Sequence, residues 1–265
     1  MWGTDRGPVM MLLDHFHPPV STRKGWKGVH SQWAGAIVQR LNEVVLPRGF
    51  ESEPEVHAGT QVEIDVGTFD ADAQPTLFSP NGTDGGVAVA LQTYAPPAPP
   101  ITGVVSFAEP DLFEVRVYKD EGGMKLVAAI ELVSEANKDR PSHRRTFATK
   151  CASYLQTGVS VVVIDVVTSR TANLHAELVD LLHLPVTFEW DSPTGLSVVC
   201  YRTVQGTTKP GLAIGNGQVR LDVWPHALAV GAELLTVPLW LAADLAVPLE
   251  LEPTYAAACK SLRLA

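Results

Sequence analysis

Cysteine is scarce in this chain: three residues in 265, Cys151, Cys200 and Cys259, odd in number and far apart. That excludes a disulfide framework and a cysteine-built metal cluster, and it fits a reducing cytoplasm. Positive charge is also in deficit, with 20 Lys and Arg against 29 Asp and Glu and a net charge of −9. A chain so balanced carries no global electrostatic footprint for DNA or RNA, so any nucleic-acid contact has to be local. Long uninterrupted apolar runs are missing too. The most apolar window, "ALAVGAELLTVPLWLAADLAV", is broken by Glu233, Pro238 and Asp244 and reads as core, not as a membrane span. The opening "MWGTDRGPVMMLLDHFHPP" lacks a basic region followed by a long apolar stretch, so no secretory signal is evident. No internal repeat is found. What is present is 46% hydrophobic residues, enough for a sizeable core in one large α/β domain or two small ones. The expectation is a cytoplasmic protein that does not enter the membrane.

The pattern along the chain gives the organisation. Residues 1–29 read as an irregular N-terminal segment, punctuated by Pro18, Pro19 and glycines. "HSQWAGAIVQRLNEVV" then sets Trp33, Ile37, Leu41, Val44 and Val45 on one helical face, ended by Pro47 and Gly49. "EVHAG" and "QVEIDVGTF" alternate as short strands. Residues 71–111, with "DADAQPTLFSPNGTDGG" and "YAPPAPP", read as a Pro/Gly-rich insertion, a surface excursion or lid. "LFEVRVYKDEGGMKLVAAIELV" reads as two strands about a turn. "SHRRTFATKCASYLQTG" follows as a helix, with Ser142 as N-cap and Gly158 as stop. "VSVVVIDVV" is apolar on both faces, as a central strand is. The helix between "AAIEL" and "SVVVIDVV" makes those strands parallel, in right-handed connection. "TANLHAELVDLLHL" is a further helix, "GLSVVCYRTV" and "QVRLDVW" are strand-like, and "EPTYAAACKSLRL" is a final helix in a C-terminal extension over about 200–265. The fold class is α/β, a mixed central sheet flanked by helices, with residues 30–265 forming a single domain.

One question dominates the site. Glu131 stands directly behind the apolar run "LVAAI", where an unpaired ionised carboxylate costs several kcal/mol. Asp65 sits in "VEIDV", and Lys150 lies on the border of the apolar face formed by Phe147, Cys151, Tyr154 and Leu155, its amine turned toward the sheet while Arg145 projects away. Two carboxylates from neighbouring strands near a lysine suit phosphodiester hydrolysis. The carboxylates would hold Mg²⁺ or Mn²⁺, and the lysine would orient the nucleophile or stabilise developing charge. The alternative is an ion pair of Glu131 with Lys150 or Arg116 that orders strand–helix packing without metal.

The stretch "VAAIELVSEANKDRPSHRRTFATKCASYLQTGVSVVVIDVV" resembles the Uma-two group of the PD-(D/E)XK restriction-endonuclease-like superfamily. It is closer still to the bacterial family called domain of unknown function 4058, in which an "IELxSPANK" pattern precedes a lysine-bearing helix. "VPLWLAADLAVPLELEPTY" is similar to that family's closing segment. The resemblance covers roughly residues 10–260 and is specific over 126–168. It implies a restriction-endonuclease-like fold and a metal-dependent endonuclease. Asp65 would match the "PD" aspartate and Glu131 the acid of the "(D/E)xK" element. Three positions depart from the pattern: Ile64 precedes Asp65, Val133 stands where the lysine belongs, and Glu135 replaces the proline of "SPANK". Lys150 is then a lysine relocated to the helix.

Around this centre, Lys138, Arg140 and Arg144, with Arg145, form a local basic cluster that could meet nucleic-acid phosphates, or a solvated helix start. Ser134 and Asn137 join them as substrate contacts or as ligands of the turn backbone. Asp165 ends a central strand, as a site residue or as a cap of the next turn. Glu43 and Glu63 are candidate accessory acids, with Tyr154 alongside. "DHFHPP" is a weak metal pattern, His143, His175 and His183 form no triad, and Trp26 could stack a base whereas Trp33 faces the core. The competing function is a non-catalytic nuclease-like scaffold binding a protein partner or small ligand, which the acidic net charge favours.

Overall fold

The computed structural model describes residues 10–54, 66–70, 95, 97–106, 125–205 and 218–264. The chain enters through the short α1 (Val20–Arg23) and α2 (Trp26–Arg40), which runs on into a π-helical turn over Leu41–Val45. The segment before residue 30 is therefore not irregular throughout: Trp26 and Val29 extend the apolar stripe of Trp33 and Ile37, and the helix begins there. Strands β1 (Phe50–Glu53), β2 (Val66–Asp70), β3 (Ile101–Ser106) and β4 (Lys125–Leu132) follow, then α3 (Glu135–Lys138), α4 (Pro141–Gln156) and β5 (Ser160–Asp165). After these come α5 (Leu174–Leu181), β6 (Leu196–Gln205), β7 (Gln218–Leu228), β8 (Thr236–Trp240), β9 (Ala246–Glu250) and α6 (Leu251–Ser261). The segments "EVHAG" and "LFEVRVYK" lie outside the described residues.

The result is an α/β fold with a mixed sheet in the order β1-β2-β4-β5-β6-β7-β3, flanked by helices. β4 and β5 are parallel across α4, and their neighbours pair antiparallel. Strand alternation divides the core in two. Ala128, Ile130, Leu132, Val162, Ile164, Val198 and Trp224 face α2, α6 and the β8–β9 hairpin. Val133, Val161, Val163, Val199, Tyr201 and Val223 face α4 and α5. Trp33, fully buried, donates from Nε1 to Thr254 Oγ1 at 3.1 Å and meets the Tyr255 ring edge-on. Burying a side chain of this size contributes about 1.5–3 kcal/mol. The helices observed among the described residues do not include one long and apolar enough to cross a membrane.

Two boundaries differ from the sequence expectation. α4 is capped by Arg140 with Pro141 inside the first turn, not by Ser142, because proline's missing N–H costs nothing at that position. Gly158, with φ of +85°, ends the helix as expected. The stretch 71–111 is not only an excursion, since β3 lies within it and pairs with β7 at the far side of the sheet. The C-terminal stretch likewise supplies β6 and β7 to the same sheet.

β3 fits only because of a glycine. A Cβ on Gly103 would lie 2.7 and 2.8 Å from Cε2 and Cζ of Phe188, and that ring is 1% exposed with no room to yield. Gly103→Ala should therefore destabilise the protein by about 1–3 kcal/mol, read from the midpoint of a urea titration; an unchanged midpoint would mean that β3 can shift away from the ring.

Candidate functional site

Alternation along β4 sends Glu131 to the α4 side of the sheet, between Ala129 and Val133. On α4, Phe147, Cys151 and Leu155 form the buried stripe and Lys150 is buried beside it. Lys150 Nζ donates to Glu131 Oε2 at 2.8 Å, with the two side chains 7% and 3% exposed. This answers the question of the carboxylate behind "LVAAI": a helix-borne ammonium reaches down to it. Burial pushes the thiol of neighbouring Cys151 well up, with Glu131 adding to the shift and Lys150 opposing it.

A second buried pair stands one pleat further along. Glu131 pairs in register with Val163, and Asp165 lies two residues on, facing the same layer. Lys138 Nζ donates to Asp165 Oδ2 at 2.7 Å, its side chain 0% exposed, and Asp165 Oδ1 accepts from Val167 N at 3.1 Å. Burial drives the Asp165 carboxyl above the usual carboxylate range, with Lys138 and the Val167 amide pulling the other way. Asp165 is thus both an ion-pair partner and the cap of the following turn. Lys138 belongs to the interior and not to a surface cluster with Arg140 and Arg144. It ends the one-turn α3, whose start is fixed by Ser134 N and Ser134 Oγ donating to Asn137 Oδ1 at 2.7 and 2.8 Å. Ser134 and Asn137 hold the turn that delivers Lys138.

The carboxyl ends of β4 and β5 open onto a cleft of about 610 Å³, lined by Lys138, Asp139, Arg144, Arg170, Asn173, Glu177 and neighbours. Arg144 Nε donates to Glu177 Oε1 at 2.6 Å, Arg140 Nε to Asp139 Oδ1 at 3.2 Å, and Arg145 to Asp180 Oδ2 at 3.3 Å. The sequence reading passes over Arg170, which lies just past a central strand, in "TSRTAN", a position where such sites occur.

The remaining candidates scatter. Asp65, Glu63 and Arg116 lie outside the described residues. Glu43 is exposed in the π-helical turn, accepting from Gln39 Nε2 at 3.0 Å, and belongs to the layer on the opposite face of the sheet from Glu131. Tyr154 packs half-buried on the α4 layer. The two histidines of "DHFHPP" diverge: His15 is buried on the Tyr255 hydroxyl at 2.6 Å, whereas His17 is exposed on Asp14 at 2.9 Å. They cannot share an ion in this arrangement. His175 is fixed between the Tyr201 hydroxyl and Phe188 O, both at 2.8 Å, and His143 lies beside Asp139. The Trp26 ring packs among His15, Phe16 and His30.

Among the described residues no group of three or more His, Cys, Asp or Glu stands together. Mg²⁺ and Mn²⁺, however, are held in phosphoryl-transfer sites by one or two carboxylates, with water and substrate oxygens completing the shell. Glu131 brings one hard-oxygen donor of that kind. Family models, curated proteins and solved structures were compared with the chain, and none matches it.

Proposed function

We propose that this chain is a restriction-endonuclease-like domain whose site centres on Glu131 and Lys150, acting as a divalent-metal-dependent phosphodiesterase on nucleic acid. The observation that carries this reading is the 2.8 Å contact of Lys150 Nζ with Glu131 Oε2. The lysine that the "(D/E)xK" element lacks at Val133 is supplied to the same carboxylate from α4. Asp65 and Glu131 would hold Mg²⁺ or Mn²⁺, which when bound supplies neutralisation of phosphate charge and a more acidic water. Lys150 orients the Glu131 carboxylate in a nearly buried site and offers hydrogen-bond donors to a phosphate oxygen as charge develops there.

A specific observation favours the non-catalytic reading, a nuclease-like scaffold for a protein partner or small ligand. Glu131 and Lys150 are nearly closed off from solvent, and neither is among the residues lining the cleft at the strand ends. Titration calorimetry with Mg²⁺ and with Mn²⁺ decides between the two. In the phosphodiesterase reading the native protein binds Mn²⁺ and Glu131→Gln, checked for an intact fold by its thermal midpoint, does not. A native protein that gives no binding heat with either ion would leave Glu131 and Lys150 as a structural pair.

A further inference from the structure

The cleft at the carboxyl ends of β4 and β5 has a charge balance that its lining disguises. Three of its lining residues are acidic, Asp139, Glu177 and Asp180, but each already has a basic partner: Arg140, Arg144 and Arg145 respectively. At the floor, Lys138 is matched by Asp165. Arg170 is left over. Its guanidinium donates to the neighbouring carbonyl, Ser169 O at 3.0 Å, and to no carboxylate among the described residues. Among the described residues lining the cleft, Arg170 is the basic side chain with no carboxylate partner. Arg144 commits Nε to Glu177 and lines the same cleft.

The loop carrying Arg170 is fastened on both sides. Thr168 Oγ1 donates to Asp14 Oδ1 at 2.6 Å and Ser169 Oγ to Glu135 Oε1 at 2.5 Å. Beyond it, Asn173 Nδ2 reaches Trp190 O at 3.0 Å and Asn173 Oδ1 caps α5 at Ala176 N. Four side-chain contacts to four different segments hold a short, exposed loop in place. That is pre-organisation of the one lining cation that, among the described residues, has no carboxylate partner.

We propose that this cleft binds a phosphate monoester, with Arg170 as its anchor and Arg144 as the second donor. A terminal phosphate carries close to two negative charges and three acceptor oxygens, which suits two planar guanidinium forks better than a singly charged carboxylate does. The volume of about 610 Å³ leaves room for the nucleoside beyond the phosphate. The ligand is the 5′-phosphorylated end of a nucleic acid or a free nucleoside monophosphate; the first of these rests on the phosphodiesterase reading, the second does not.

The test measures binding of a short single-stranded oligonucleotide with a 5′-phosphate, the same oligonucleotide with a 5′-hydroxyl, and AMP, to the native protein and to Arg170→Gln. The 5′-phosphate should strengthen binding on the order of tenfold over the hydroxyl, and Arg170→Gln should abolish that difference. AMP bound with the same dependence on Arg170 assigns the site to a small nucleotide, whereas a phosphate effect confined to the oligonucleotide assigns it to a nucleic-acid end. Equal binding of the two oligonucleotides with no binding of AMP overturns the proposal, as does a phosphate effect that survives both Arg170→Gln and Arg144→Gln. Mn²⁺ titration of the native protein separates the two ideas: no metal heat with an intact phosphate effect removes the phosphodiesterase and keeps the cleft.

Discussion

Lys150→Met should lower stability by about 3–5 kcal/mol, because it leaves the Glu131 carboxylate buried without its ammonium. Both side chains are under one-tenth exposed, so solvent screening offers little relief. The double variant Glu131→Gln/Lys150→Met should recover most of the loss, since a buried ion pair replaced by uncharged groups of similar size is close to neutral. Urea unfolding of the native chain, Lys150→Met, Glu131→Gln and the double variant gives the coupling directly. A loss below about 1 kcal/mol for Lys150→Met would mean that the pair opens to water in solution. The same variants report on the proposed metal. If Glu131 ligates Mn²⁺, the ion should stabilise Lys150→Met by more than it stabilises the native chain, because it then replaces the missing cation as well as binding the folded state.

The second large effect is expected at Asp222, which is 0% exposed in the other half of the core. Arg220 donates to both its oxygens at 2.9 Å, Arg202 donates from a second side, and Thr102 of β3 completes the set. Arg202 also lies 3.7 Å over the ring of Trp240. Asp222→Asn would leave two buried guanidiniums sharing a neutral amide, a loss of about 3–5 kcal/mol. Burial pushes the Asp222 carboxyl up, but the hydrogen bonds from Arg202, Thr102 and Arg220 outweigh it and hold it below its ordinary value of 3.8. A carboxylate depressed on folding contributes stability that is complete above its unfolded pKa and is lost as pH falls through the folded value. Thermal midpoints measured from pH 7 to pH 2 should therefore fall less steeply below about pH 4 in Asp222→Asn than in the native protein. Parallel acid limbs would show that the triad is not what acid attacks first.

Much of this was legible in the residues, and the parts that were not have physical causes. The β4–α4–β5 unit could be read because its signals are local: an apolar run, a proline-started helix, a glycine stop and the handedness rule. Lys150 could be aimed at the sheet from helical spacing alone. Lys138 could not, since its sequence neighbours Asp139, Arg140 and Arg144 are all surface residues, and its burial depends on a tight turn held by Ser134 and Asn137. β3 was hidden by the prolines before it, and its strand character comes from β7, a partner far along the chain. Arg170 stands out only after the pairings of its neighbours are known.

The pairing of Ile101 with Val223 has a consequence for how the molecule is assembled. β2 and β3 are consecutive in the chain but are separated across the sheet by β4, β5, β6 and β7. The connection must cross five strand spacings, about 24 Å, a span that about eight extended residues would cover. β3 can dock only after β6 and β7 have formed the ladder that receives it, so its pairing is a late contact of large sequence separation. Synthesis delivers β3 well before its partner strand exists, and until β7 is made the strand must wait unpaired.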